Sequence, residues 1–102
     1  MLYNYYFVLA SYDFLVNEEP IEEILRERRS YYTSICKEID FWFIPNPKFI
    51  DNAVFDHKYT KLPKNSAVIV SLDKKFIQWL KLRIGFVATG TLKSSSSVIL
   101  NS

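Results

Sequence analysis

Residues 3–10 read Tyr-Asn-Tyr-Tyr-Phe-Val-Leu-Ala, and no other segment constrains the fold as tightly. Tyr3, Tyr5, Phe7 and Leu9 alternate with Asn4, Tyr6, Val8 and Ala10, so a strand built from them carries apolar side chains on both faces. Such a strand belongs in the middle of a sheet. The chain has 102 residues, enough for one domain with one core and too few for a two-domain enzyme. A domain of this size buries only about 60–65% of its unfolded surface, so large side chains carry much of the stabilisation. The eight Phe, seven Tyr and two Trp, each ring burying about 150–250 Å², supply much of that core.

Downstream the periodicity changes from two to 3.6. From Pro20 to about Ser34, Ile21, Ile24, Leu25, Tyr31 or Tyr32 and Ile35 keep helical spacing. The acids Glu18, Glu19, Glu22 and Glu23 precede the bases Arg26, Arg28 and Arg29, an order that complements the helix dipole. Ile39–Ile44 predicts a second strand, stopped by Pro45 and Pro47. Its alternation places Asp40 with Trp42 and Ile44 on one face and Ile39, Phe41 and Phe43 on the other. Residues 46–65 read as a short helix and a loop, Ala67–Val70 as a short apolar strand, and Asp73 opens a helix whose core stripe is Phe76, Ile77, Leu80 and Ile84. That helix ends near Gly85, and Phe86–Leu92 is a last strand, giving the order β-α-β-α-β-α-β. Residues 1–93 form the domain and 94–102 a Ser-rich tail. A helix after each of the first three strands leaves parallel pairing open.

Little in the chain points to catalysis. The single His57 sits in the mixed loop, where a solvated imidazole accounts for it, and no Glu-x-x-His pair exists for a carboxylate-bridged di-iron site. Cys36 cannot form an internal disulfide or a thiolate cluster, and it reads as a buried structural thiol. Glycine occurs only at 85 and 90, which excludes the glycine-rich phosphate cradles. Hydrophobic residues at 49% and charged residues at 24% fit a globular protein, and no apolar run approaches the 18 residues of a membrane span. The N-terminal stretch shows the pattern of neither a signal nor a transit peptide.

A formal charge of +2 is too small to imply nucleic-acid binding. Its distribution is polar along the chain: residues 13–40 are net −4 and residues 41–102 net +6. Two solvated faces of opposite sign explain this, and so does a surface that orients a partner. On the helix at 73–85, Trp79 and Leu82 lie off the core stripe, and Trp79 neighbours Arg83 at i,i+4. Packing under a second layer and service as a protein-binding anchor both fit that pair. Phe, Tyr, Met, Ile, Asn and Lys total 41 residues against 14 for Gly, Ala, Arg and Pro, a bias expected of an AT-rich genome.

Taken in order, Tyr5–Ser11, Glu18-Glu19-Pro20 with Glu23, Leu25, Glu27 and Arg28, Lys37–Trp42, Ala67–Ser71, and Phe76–Arg83 with Thr89-Gly90 resemble the small accessory protein of the aerobic magnesium-protoporphyrin IX monomethyl ester cyclase of cyanobacteria and plastids. The resemblance spans residues 3 to about 92. It implies a single α+β domain with a four-stranded, mainly antiparallel sheet and packed helices. It also implies a non-enzymatic role in chlorophyll biosynthesis, at formation of the fifth ring that yields protochlorophyllide. There the family binds the separate di-iron oxygenase subunit and supports its accumulation or assembly. The family's partner-facing patch carries over to Ala10, Asp40, Phe41 and Arg83, whereas no catalytic residue, metal or cofactor carries over. On the sequence alone, Arg83 reads as exposed, Asp40 interrupts an apolar strand, and Ala10 offers a small side chain for close approach. An internal Asp40–Arg83 salt bridge is the rival account. Competing readings are a tetrapyrrole-binding module, with the aromatic surplus lining a pocket, and a general assembly factor for chlorophyll proteins. The expected location is the plastid, if plastid-encoded, or the cyanobacterial cytoplasm, peripheral to membranes through the partner and without insertion.

Overall fold

The computed structural model describes residues 3–18, 21–47, 54–55, 65–85 and 87–94. Strand β1 (Tyr3–Ser11) leads into a π-type helical turn (Phe14–Glu18) and helix α1 (Ile21–Ser34), followed by β2 (Phe41–Pro45), β3 (Val54–Phe55), β4 (Ser66–Ser71), α2 (Lys74–Ile84) and β5 (Ala88–Ser94). The sheet order is β2-β4-β1-β5-β3, and every pairing is antiparallel. The four expected strands therefore form the antiparallel sheet, and the two-residue β3 extends one edge. Its residues fall where the sequence reading places a short helix and a loop. Residues 48–53 and 56–64 of that segment, including His57, lie outside the described residues, as do Phe86 and residues 95–102 of the tail.

β1 sits in the middle as its two-faced apolar pattern requires, flanked by β4 (Phe7 opposite Val70) and β5 (Phe7 opposite Gly90). Since β4 and β5 both run antiparallel to β1, they are parallel to each other with β1 between them. β1 and β2 are likewise parallel with β4 inserted. These two split β-α-β units are the ferredoxin-like arrangement, whose right-handed crossovers put both helices on one face. On that face Val8, Ala10, Phe41, Ala67 and Ile69 meet Ile21, Leu25 and Tyr32 of α1 and Phe76, Ile77, Leu80 and Ile84 of α2. The opposite face is buried too, with Phe7, Val68 and Val70 at 0% exposure beside Tyr5, Leu9, Ile44 and Leu92. Burial on both sides is the reason the strands read as almost continuous apolar runs.

α2 starts as its sequence dictates: the Asp73 carboxylate accepts from the backbone N–H groups of Lys75 and Phe76, at 3.0 and 3.4 Å. It stops at Gly85, whose φ of +73° and ψ of −169° lie in a region that side-chain-bearing residues avoid. α1 ends differently. Cys36 takes φ +56°, its N–H bonds to the Thr33 carbonyl, and the Lys37 N–H reaches back to the Tyr32 carbonyl. This is a Schellman closure with cysteine in the left-handed position that glycine ordinarily fills. The turn carries the Cys36 side chain outward, so the thiol is exposed and free rather than buried as the sequence suggested.

Candidate functional site

Among the described residues, a polar network joins the C-terminal half of α1, the start of β2 and the N-terminus of α2. Arg28 and Tyr32 stand one turn apart on α1, and Arg28 Nη2 donates to Tyr32 Oη at 2.9 Å and to Asp73 Oδ2 at 3.0 Å. Tyr32 Oη in turn donates to Asp40 Oδ1 at 2.8 Å, and Lys37 Nζ lies 3.6 Å from Asp40 Oδ2. Asp73 thus caps α2 with one oxygen and ties it to α1 with the other. The guanidinium of Arg28 lies over the Phe76 ring, 3.7 Å from its centroid, and Tyr32 packs edge-on against Phe41 at 5.4 Å. Arg28 Nε is buried with no acceptor, a desolvation cost the surrounding bonds must offset.

Burial and the bond to Asp40 push the Tyr32 phenol above its ordinary value of 10.0. Tyr32 and Asp40 raise the Lys37 ammonium above 10.5, against an opposing contribution from desolvation. Among the described residues, no group of three or more His, Cys, Asp and Glu could hold a metal ion. Nor, among the described residues, is any helix long and apolar enough to cross a membrane.

The four residues carried over by resemblance occupy different layers. Ala10 and Phe41 are 7% and 1% exposed and face the helices from inside the core. Arg83 is exposed on α2. Asp40 stands at the end of the β2 ladder, its carbonyl accepting from the Leu72 N–H at 3.0 Å, and its carboxylate reaches Tyr32 rather than lying on the face of Trp42. Its side chain is 19% exposed and its ion pair is with Lys37. Arg28, Tyr32, Lys37 and Asp73 escaped the sequence reading as site residues. The i,i+4 spacing of Arg28 and Tyr32 hinted at their contact, whereas Asp73 is 45 residues from Arg28 and no local pattern joins them.

Beside this network, a groove of about 530 Å³ runs between α1 and α2, with Ile24, Glu27 and Tyr31 on one wall and Lys75, Phe76 and Trp79 on the other. Tyr31 is 60% exposed, Trp79 49% and Leu82 85%. The Trp79 indole lies nearly parallel to the Phe76 ring at the groove wall, with an interplanar angle of 18° and centroids 6.3 Å apart.

The comparisons with known proteins agree with one another. The Porphyra purpurea ycf54 protein is 50% identical over 92 residues, covering 90% of this chain and 85% of that protein. A Ycf54-like protein of Synechocystis is 44% identical over 96 residues, covering 94% of this chain and 72% of the relative. The chloroplastic YCF54 of Arabidopsis thaliana is 31% identical over 94 residues, 91% of this chain and 44% of that longer protein. Among solved structures, a protein from Nostoc superposes with a TM-score of 0.83 at 43% identity, covering 99% of this chain and 94% of that one. The Synechocystis Ycf54 structure gives 0.82 at 40% identity, covering 98% and 94%. With the family's sequence profile matching residues 3–94, the chain belongs to the Ycf54 protein family.

Proposed function

We propose that this protein is a non-catalytic accessory subunit that binds and supports the di-iron oxygenase subunit of the magnesium-protoporphyrin IX monomethyl ester cyclase, in chlorophyll biosynthesis. The observation that carries this reading is the outer face of α2, where Trp79, Leu82 and Arg83 stand exposed on a helix whose other side is locked into the core. Trp and Arg are the residue types that dominate protein-binding hot spots. The motif resemblance supports the pathway, and the cyanobacterial and chloroplastic relatives support the place: a plastid or a cyanobacterial cytoplasm, with membranes reached through the partner.

The groove between the helices favours one competitor, a tetrapyrrole-binding module, because its walls are aromatic. Two measurements separate them. Co-purification of the oxygenase with the tagged protein supports the accessory role. Tight stoichiometric binding of magnesium-protoporphyrin monomethyl ester to the pure protein, or its turnover without another subunit, supports the competitor. If loss of this protein depletes chlorophyll proteins without accumulation of the cyclase substrate, a general assembly role replaces both.

A further inference from the structure

We infer that the groove between α1 and α2 is the seat for a protein segment that inserts an apolar side chain against Trp79 and lays acidic side chains along α2. The inference rests on the proposed function and adds where the oxygenase docks and what chemistry its docking segment carries.

Charge is the first argument. Between Lys74 and Ile84 every ionisable side chain is an exposed cation: Lys75 lines the groove and Arg83 follows on its flank, while Lys74 and Lys81 lie on the other flank; of the groove's two acids, Asp73 is paired with Arg28 and Glu27 stands on the α1 wall. Lys75, Trp79 and Arg83 follow one another at i,i+4 along the groove-side flank, with Leu82 beside them pointing outward. A segment seated there meets a cation, an aromatic ring and a second cation at one-turn intervals, which is complementary to a helix or strand with acids flanking an apolar residue.

Shape is the second. The apolar groups line a shallow, open groove, with Tyr31 and Ile24 on its α1 side and Trp79 and Phe76 on its α2 side. A groove takes an inserted side chain, whereas a lipid surface is met by apolar groups that project from a convex face, as Leu82 does beside the groove. The neighbouring Phe76 ring, nearly parallel at 6.3 Å, narrows the orientations open to the indole and so reduces the side-chain entropy lost on docking.

The test measures binding of the full-length chain to immobilised di-iron oxygenase, with thermal melts of every variant. Trp79→Ala is expected to weaken binding about tenfold or more. Lys75→Glu, at an exposed position that leaves the fold intact, is expected to weaken it severalfold, with the loss shrinking as salt is raised. Should Trp79→Ala also lower the melting temperature, Lys75→Glu and its salt dependence decide the case alone. Failure of the unmodified protein to bind the oxygenase overturns the proposed function and this inference with it. Normal binding by both variants overturns the inference alone. Vesicles of phosphatidylglycerol in phosphatidylcholine form the last arm: capture that depends on Trp79 and Lys75, while oxygenase binding does not, assigns the groove to lipid and overturns the protein-segment reading.

Discussion

Removing one oxygen atom, in Tyr32→Phe, tests the polar network directly. The ring remains, so its packing against Phe41 at 5.4 Å is preserved and no cavity opens. Two hydrogen bonds go: the one donated to Asp40 at 2.8 Å and the one accepted from Arg28 at 2.9 Å. Hydrogen bonds involving a charged partner contribute about 1.5–3 kcal/mol each when nothing replaces them. Replacement is available here, since Asp40 is 19% exposed and keeps Lys37, and Arg28 keeps Asp73. The net loss is therefore about 2 kcal/mol, below the sum of the two bonds, and in a domain this small that is about 8–16 °C in melting temperature. The same atom predicts a pH effect. The folded state holds the Tyr32 proton more tightly than the unfolded chain, so its contribution is whole below pH 10.0 and is lost as pH rises beyond it. Tyr5, raised by its own burial, adds a slope of the same sign. Melts from pH 7 to 11 are expected to show a steep alkaline decline in the unmodified protein. Tyr32→Phe is expected to show a lower plateau and a shallower decline, with the Tyr5 share remaining. A variant within about 0.5 kcal/mol of the unmodified protein at pH 7, with an unchanged alkaline limb, would refute the view that this hydroxyl ties α1 to β2.

Gly85→Ala is expected to cost about 1–3 kcal/mol by urea denaturation purely through backbone conformation, because an added Cβ meets nothing within 4 Å while φ stays at +73°. Asp73→Asn keeps an amide oxygen for the cap of α2 but loses the ion pair to Arg28, so it should lower stability less than Asp73→Ala, which loses both and costs about 2 kcal/mol in the same assay. Asp40→Ala and Arg83→Ala should part company: the first lowers the melting temperature by stripping Tyr32 of its acceptor, the second loses at most about 1 kcal/mol of fold stability and reports mainly in oxygenase retention.

What the sequence revealed and what it hid divide along a physical line. The centrality of β1 and the buried stripe of α2 follow from local periodicity, and both are seen in the structure. The capping role of Asp73 and the end of α2 at Gly85 are equally local. Strand direction is not, because a strand's side-chain pattern is the same whichever way its neighbour runs; parallel pairing is excluded only by the insertion of β4 between β1 and β2 and of β1 between β4 and β5. Two residues carry no period, so β3 had no signal. Cys36 was misread because its left-handed turn lacks the glycine that usually marks one. Asp40 departs from the alternation because it stands at the end of the ladder, where its carbonyl still accepts from the Leu72 N–H at 3.0 Å while its carboxylate is drawn toward α1 by the Tyr32 hydroxyl.

The placement of Ala10 and Phe41 changes what a patch at these positions can mean. Neither side chain can touch a partner while the sheet and helices stay packed, since both are nearly inaccessible. Phe41 is instead the ring on which the network converges: it meets Tyr32 edge-on at 5.4 Å and Phe76 at 5.8 Å, and Arg28 sits 5.7 Å from its centroid. Phe76 is also the ring that supports Trp79. A path of direct contacts therefore runs from Phe41 through Phe76 to the exposed indole, and a parallel one from Asp40 through Tyr32 and Arg28 to Asp73 at the cap of α2. Phe41 is on this account a positioning residue for the groove wall. Phe41→Leu, which keeps an apolar core but loses the aromatic edges, should weaken oxygenase binding through displacement of Trp79, and Trp79 fluorescence in a Trp42→Phe background reads that displacement without the partner. An unshifted indole spectrum alongside weakened binding would separate Phe41 from the groove and require a different route to the surface.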